Sequence, residues 1–264
     1  MITEAFDNQS EAIIEPAVNP DAPCVDACIM TFSHEIERHV LESYPCRKAG
    51  SFWFATGETP VYLLDWQGRT FAFFKTYVGA PACVGTVEDS FSVIRTQNYV
   101  VFGGAGCLDR KIAHGKVMIP TEAYRDEGTS YHYAPASDWI RIRNSARVAR
   151  FMEESGIPHV QGRTWTTDSF YRETRNHFEK HRAQGCISVE MECAALQAVC
   201  DFRQKNLYMF FTSGDLLDAE KWDERRLPGE SEGTQHDTGH FRIALSLAWS
   251  IAGDGKENVW MTMS

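Results

Sequence analysis

Two segments of the chain are apolar almost without interruption: NYVVFG at residues 98–103 and NLYMFFTS at residues 206–213. A strand with one face in water alternates apolar and polar side chains. Runs of this kind therefore predict a sheet that is covered on both faces. Residues 191–202 and 241–252 instead repeat apolar side chains at helical spacing. The alternation of strands with helices predicts an α/β layered domain.

Shorter patterns predict further turns, helices and strands along the chain. The pair Gln67-Gly68 predicts a tight turn between two strands, and Ser33 is a candidate N-cap for the helix that follows it. Further strands are predicted at residues 25–31, 51–56, 60–66, 69–78 and 159–167, and further helices at residues 33–43, 82–94 and 144–155.

We expect three parts along the 264 residues. Residues 1–24 form an N-terminal arm, residues 25–252 form a single domain, and residues 253–264 form a tail with no informative pattern. The formal net charge is −10, so we expect no binding to nucleic acid. The sequence shows neither an apolar segment of membrane-spanning length nor a signal pattern near its start, so we expect a cytoplasmic protein without a membrane partner.

Ligands of α/β sheets bind beyond the carboxyl ends of strands. Three strand ends of this chain carry residue types that are common in ligand-binding and catalytic sites. The first, at residues 100–109, is rich in glycine and predicts either a plain turn or a backbone nest for an anion. The second carries Glu190, Met191 and Glu192, which fit either an acidic helix N-terminus or a site for sugar hydroxyls. The third carries Asp215, which fits either a cap or a general acid.

Together, these strand ends resemble the nucleoside phosphorylase family, which includes purine and uridine nucleoside phosphorylases and related nucleosidases. The resemblance runs from about residue 25 to residue 251. It rests on the following motifs: YVGAPA at 77–82, the glycines at 103–106, RDEGTSYHY at 125–133, DSFY at 168–171, VEMECAAL at 189–196 and TSGD at 212–215.

The resemblance implies a three-layer α/β/α sandwich with a mixed, barrel-like central sheet. It implies cleavage of the N-glycosidic bond of a nucleoside by phosphate or by water, with phosphate as co-substrate of a phosphorylase and with no metal or organic cofactor. It also implies a homo-oligomer, a dimer or a hexamer, whose active sites lie at subunit interfaces.

Carried over by position, the resemblance implies a role for each matching residue. Met191 lies under the ribose, Glu192 binds its 2′- and 3′-hydroxyls, and Glu190 lines the same pocket. Phe170 stacks on the base. Asp215 matches the residue that protonates N7 of a leaving purine, so we expect a purine nucleoside.

The sequence departs from the family pattern where the nucleophile binds. The family's arginine at the strand end and its Ser or Thr beside Gly104 are replaced by Phe102 and Ala105, and the loss of an arginine weakens a phosphate site. Arg47 matches the arginine that a neighbouring subunit lends to that site. Glu35, with Glu37 second, is the candidate for activating water in a nucleosidase.

Three functional hypotheses therefore stay open. Phosphorolysis is the first, because it is the family's most common chemistry. Hydrolysis by water is the second, because Phe102 and Ala105 replace phosphate ligands. The third is a nucleoside-binding protein without turnover.

Overall fold

The computed structural model describes residues 1–113, 115–218 and 230–253, with the backbone alone over residues 230–238. The described strands are β1 Ala27–Thr31, β2 Cys46–Phe54, β3 Gly57–Trp66, β4 Arg69–Lys75, β5 Asn98–Cys107, β6 Val117–Asp126, β7 Trp139–Arg141, β8 His159–Thr167, β9 Cys186–Glu190 and β10 Asn206–Leu216. The described helices are α1 His34–Ser43, α2 Ala80–Asp89, α3 Arg110–Ala113, α4 Ser130–Tyr133, α5 Ser145–Glu154, α6 Arg175–Ala183, α7 Cys193–Phe202 and α8 Glu230–Ala252.

The strands form one mixed sheet that closes on itself over half of its width. Strand β5 pairs with β10 and with β9, and the ring continues through β8 and β6 back to β10. From β5 the sheet extends outward through β1, β4, β3 and β2. The predicted α/β fold with a mixed, barrel-like sheet is confirmed.

Helices cover the sheet on both faces. One apolar cluster joins the sheet to α2 and α7 through residues such as Val84 and Leu196. A second cluster joins the opposite face to α1, α5 and α8 through residues such as Val40, Met152 and Phe241. Burial on both faces explains why the strands in the middle of the sheet carry apolar runs without polar alternation.

Local signals for turns and caps hold in the structure. The Ser33 hydroxyl accepts a hydrogen bond from the Ile36 N–H at 3.2 Å, as an N-cap does. Gln67 and Gly68 both have positive φ, at 47° and 75°, and join β3 to β4 as a two-residue hairpin turn.

The glycines at 103–106 lie within β5, so of the two interpretations of this segment the plain turn is wrong. The reason is close packing. A Cβ on Gly103 would lie 2.8 Å from the Phe32 ring, and a Cβ on Gly106 would lie 2.6 Å from Leu217 Cδ1. Strand β5 leaves β1 after Phe102 and continues between β9 and β10, and the small residues permit this crowding.

The N-terminal arm follows the surface of the domain with little regular structure. It contacts the domain through a hydrogen bond from Asn19 N–H to Phe91 O and an ion pair between Glu15 and Arg203. Of the expected tail at 253–264, residues 254–264 lie outside the described residues. Among the described helices, none has the length and apolar character needed to cross a membrane.

Candidate active site

A cavity of about 710 Å³ opens where β5, β9 and β10 meet. Its size is that of a pocket for a small organic ligand. The sequence-predicted residues that line it are Gly104, Ala105, Phe170, Glu190, Met191, Glu192 and Asp215. The three strand ends singled out from the sequence therefore converge on one site.

Glu190 ends β9 and is buried, with hydrogen-bond donors at both of its carboxylate oxygens. The N–H groups of Glu192 and Cys193 donate to Oε2 at 2.7 and 2.6 Å. The Thr166 hydroxyl donates to Oε1 at 2.5 Å. Glu190 thus holds the N-terminus of α7 against β8, which is the helix-terminus role that the sequence left open, while its side chain still lines the cavity.

Glu192 is the N-cap residue of α7 and is 6% exposed. The Gly79 N–H donates to its Oε1 at 2.6 Å. Burial, and then the charge of Glu190, raise the pKa of Glu192 to about 8. Burial also raises the pKa of Glu190 to about 7, although its hydroxyl and N–H donors favour the ionised form. Of the two, Glu192 keeps its proton to the higher pH.

Asp215 lies within β10, just past the point where that strand pairs with Ala105 of β5. Its Oδ1 is 3.2 Å from the position a Cβ would take on Gly106. The bare glycine in β5 therefore leaves the space in which the Asp215 carboxylate reaches the cavity. This close approach links the glycine-rich strand to the predicted acid.

The segment after β8 adds an aromatic wall. A short 3-10 turn at Phe170–Arg172 carries the rings of Phe170 and Tyr171, whose centroids lie 4.0 Å apart. Phe170 is 49% exposed although it lines the cavity, so its ring is available to a planar ligand.

Several residues of the cavity wall have no role assigned from the sequence, although Val78, Gly106, Tyr171, Val189 and Gly214 lie in the motifs quoted above. The additional lining residues are Phe32, Val78, Gly106, Tyr171, Glu173, Arg175, Phe178, Val189, Gly214 and Leu217. Glu173 is the most informative, because burial and the charge of Asp215 raise its pKa to about 7. The signal in the sequence is the charged run at residues 172–175, which directly follows the DSFY motif.

Phe102 does not reach the cavity. It is 1% exposed and stacks on Phe210, with centroids 5.6 Å apart and planes 16° apart. It belongs to the cluster with α1, α5 and α8, because successive side chains of a strand point to opposite faces. The prediction that Phe102 lies in the nucleophile site is therefore wrong for the described chain.

Glu35 and Arg47 also lie outside the lining of the cavity. Glu35 is on the exposed side of α1, where it pairs with Arg38. Arg47 is on β2, with its side chain 57% exposed and 3.7 Å from Asp65. The structure thus does not place Glu35 where it would activate water at this site, and Arg175 is the one cationic side chain among the described cavity residues.

The arrangement suits a ligand with a planar ring and hydroxyl groups. Aromatic and apolar side chains offer surface to a ring, and the carboxylates accept hydrogen bonds from hydroxyls or hold a proton for a leaving group. Among the described residues, no cluster of three or more His, Cys, Asp or Glu has the arrangement of a metal site.

The chain is similar in sequence to a known protein family and to several of its members. A family model described as the phosphorylase superfamily matches residues 27–235. A DeoD-type purine nucleoside phosphorylase from Exiguobacterium sp. is 25% identical over 196 residues, which cover 70% of this chain and 78% of the relative. A DeoD-type purine nucleoside phosphorylase from Brevibacillus brevis is 24% identical over 61% of this chain and 71% of its own. A uridine phosphorylase from Salmonella typhimurium is 24% identical over 51% of this chain and 59% of its own.

Proposed function

Because the chain belongs to the phosphorylase superfamily, we propose that it splits the N-glycosidic bond of a purine nucleoside with phosphate. The products are the free base and ribose 1-phosphate or its deoxy counterpart. At the level of the family, the relatives support nucleoside phosphorolysis. The choice of a purine base is proposed from the match of Asp215 to the residue that protonates N7.

One observation carries the proposal: Glu192 and Met191 line the same cavity as Asp215 and Phe170. The Gly79 N–H donates to Oε1 of Glu192, and the Met191 backbone adds a hydrogen bond to the same carboxyl group. A carboxyl group has further acceptor positions, and these are assigned to the hydroxyls of a ribose. We assign the ring contact to Phe170 and the sugar face to Met191. This arrangement supports a bound nucleoside whose C1′ lies between the sugar end and the base end of the cavity.

In the proposed reaction, a phosphate oxygen bonds to C1′ as the bond from C1′ to the base nitrogen breaks. The electron pair of that bond moves onto the base, where Asp215 donates a proton to N7. General acid help of this kind is worth about 10²–10⁴-fold in rate. The sugar carries oxocarbenium character in the transition state, as in other glycosyl transfers.

We assign the phosphate site to the backbone around Gly104 and Ala105 together with Arg47 of a neighbouring subunit in a homo-oligomer. A Cβ on Gly104 would meet nothing within 4 Å, so the strand backbone is open to a ligand there. Arg47 is exposed on its own subunit, which leaves it available to a neighbour. No cofactor takes part in this scheme.

Hydrolysis by water is the second candidate function. It is favoured by the scarcity of positive charge in the cavity, where Arg175 is the one described cation. It is weakened by the position of Glu35, which lies outside the cavity and pairs with Arg38.

The test is incubation of the purified protein with a panel of purine and pyrimidine nucleosides and AMP, with and without phosphate. Chromatography follows the free base. We expect release from purine nucleosides that depends on phosphate, and its loss in R47A with little change in nucleoside affinity. The matched control is R38A, because Arg38 is also exposed and paired with a carboxylate. Base release that is equal without phosphate would favour hydrolysis, and release from no nucleoside would contradict both functions.

A further inference from the structure

A second cavity, of about 740 Å³, lies at the opposite end of β5 from the candidate active site. Asn98, the first residue of β5, lines this second cavity, whereas Gly104 of the same strand lines the candidate active site. At about 3.3 Å per residue of strand, the two residues lie roughly 20 Å apart. The described lining residues of the two cavities do not overlap. The second cavity is therefore a separate feature, to which the proposed function gives no role.

The N-terminal arm forms one side of the second cavity, where Glu15 and Val18 line it. A carboxylate oxygen of Glu15 pairs with the Arg203 guanidinium at 2.9 Å. Further along the arm, the Asn19 N–H donates to Phe91 O at 3.2 Å. These two contacts fix the arm to the end of α7 and to the segment before β5, so the arm and the domain enclose the second cavity together.

Both carboxylates of the second cavity are paired with guanidinium groups. The charged side chains that line this cavity are Glu15, Asp26, Arg95, Arg203 and Lys205. Glu15 pairs with Arg203, and Asp26 pairs with Arg69 at 3.5 Å. The two carboxylates therefore leave the charges of the other two cations without a counter-charge.

These two cations, Arg95 and Lys205, bind backbone carbonyl groups. Arg95 Nε donates to Ala22 O at 2.8 Å, and Lys205 Nζ donates to Thr96 O at 2.9 Å. Among the described residues, no carboxylate pairs with either cation. Burial lowers the pKa of the half-buried Lys205, as expected for an ammonium group that has lost part of its water. A cation in this state is stabilised by a bound anion.

Apolar side chains adjoin the two cations. Lys205 Nζ lies 5.3 Å from the centroid of the half-buried Phe91 ring. Phe91 lines the second cavity together with the buried side chains of Val25 and Ile94. An aromatic ring beside polar and charged groups is typical of a site for a small molecule with an apolar body.

We propose that the second cavity binds a small organic anion, a carboxylate or a phosphate ester. An ammonium group has three N–H donors and a guanidinium group has five, and the described contacts of Lys205 and Arg95 use one donor each. The remaining donors bind the anionic group, and the apolar body of the ligand packs against Phe91. This binding site does not rest on the proposed function, because it lies at the other end of β5.

Isothermal titration calorimetry with phenyl phosphate and with benzoate tests the site and distinguishes the two kinds of anion. We expect the wild type to bind one or both probes. We expect K205M and R95M each to weaken that binding by about tenfold or more, the size of one hydrogen bond between charged groups. Benzyl alcohol has a ring but no charge, so the wild type and K205M should bind it equally.

The matched control is K116M, which removes the same charge from an exposed lysine that lines neither cavity. It should keep the wild-type affinity for both probes. Because Arg95 is exposed, R95M also tests the site if K205M fails to fold. No binding of either probe by the wild type, or wild-type affinity in both R95M and K205M, would overturn the inference. Loss of binding in E192A but not in K205M would place the probes in the candidate active site and would also overturn it.

Discussion

Asp215 is the side chain on which the proposed chemical step depends most directly. We expect D215N to lower kcat for unmodified purine nucleosides by about 10²–10³-fold, because the amide cannot deliver a proton to N7. A 7-methylpurine nucleoside already carries a positive charge on its base, so its cleavage should slow far less. Steady-state kinetics on both substrates measure the contrast. Equal slowing of the two would remove the acid role from Asp215.

At the sugar end of the cavity, the proposed binding of the nucleoside depends most directly on Glu192. We expect E192A to weaken the binding of a ribonucleoside by about 10²-fold, since two hydrogen bonds to the Glu192 carboxyl group are lost. A 2′,3′-dideoxynucleoside lacks those hydroxyls and should lose much less. Equilibrium dialysis measures both affinities, with E179A as an exposed control on α6. Wild-type affinity of E192A for the ribonucleoside would contradict the assignment.

Strand β5 depends on its glycines for packing, and two of them differ sharply in their surroundings. A Cβ on Gly106 would lie 2.8 Å from Val189 Cγ1 on the paired strand, whereas a Cβ on Gly104 would meet nothing within 4 Å. We expect G106A to reduce the free energy of unfolding by about 1–3 kcal/mol through overpacking. G104A should leave it unchanged or raise it slightly. Urea denaturation compares the two, and similar stability of both variants would contradict the packing role of Gly106.

Much of the element order was predictable because burial imposes a clear pattern on the chain. The strand predicted at 159–167 coincides with β8, and the Ser33 cap and the Gln67-Gly68 turn form as expected. Strand β6 escaped prediction because Pro120 and polar residues interrupt its apolar pattern. Helix α6 escaped because only Phe178 and His181 of its residues are buried.

A site residue was predictable where its position in a strand or at a strand end fixes the direction of its side chain. It was unpredictable where the local structure leaves that direction open. Glu190, Met191 and Glu192 lie at a strand–helix junction, so their approach to the cavity follows from the fold. Phe102 packs with α1, α5 and α8, on the opposite face of β5 from Val101 and Ala105, and sequence spacing alone does not show which face of this strand meets the cavity. Glu173 follows a short 3-10 turn, for which sequence spacing gives no side-chain direction.

The buried carboxyl groups give the whole molecule a dependence on pH. Burial raises the pKa of Glu192 to about 8 from an ordinary value of 4.5. The folded state therefore keeps a proton that the unfolded state loses, so this contribution to stability is complete below pH 4.5 and is lost as the pH rises toward 8. Glu190 acts in the same direction, with its pKa raised to about 7.

We expect the isosteric variant E192Q to depend less on pH than the wild type. Its free energy of unfolding relative to the wild type should rise by roughly 1–3 kcal/mol between pH 5 and pH 8, because a neutral amide does not ionise in the buried site. Urea denaturation at a series of pH values measures the difference. A constant difference across this range would contradict the raised pKa of Glu192.

At the scale of the whole molecule, we propose that the cavity transfers the pentosyl group of a nucleoside to phosphate. Phosphorus NMR of a reaction with a purine nucleoside and inorganic phosphate follows the fate of the sugar directly. The proposed function predicts a sugar 1-phosphate resonance that grows in step with the free base, while the inorganic phosphate signal falls by the same amount. Release of free base with an unchanged phosphate signal would contradict phosphorolysis and identify water as the nucleophile.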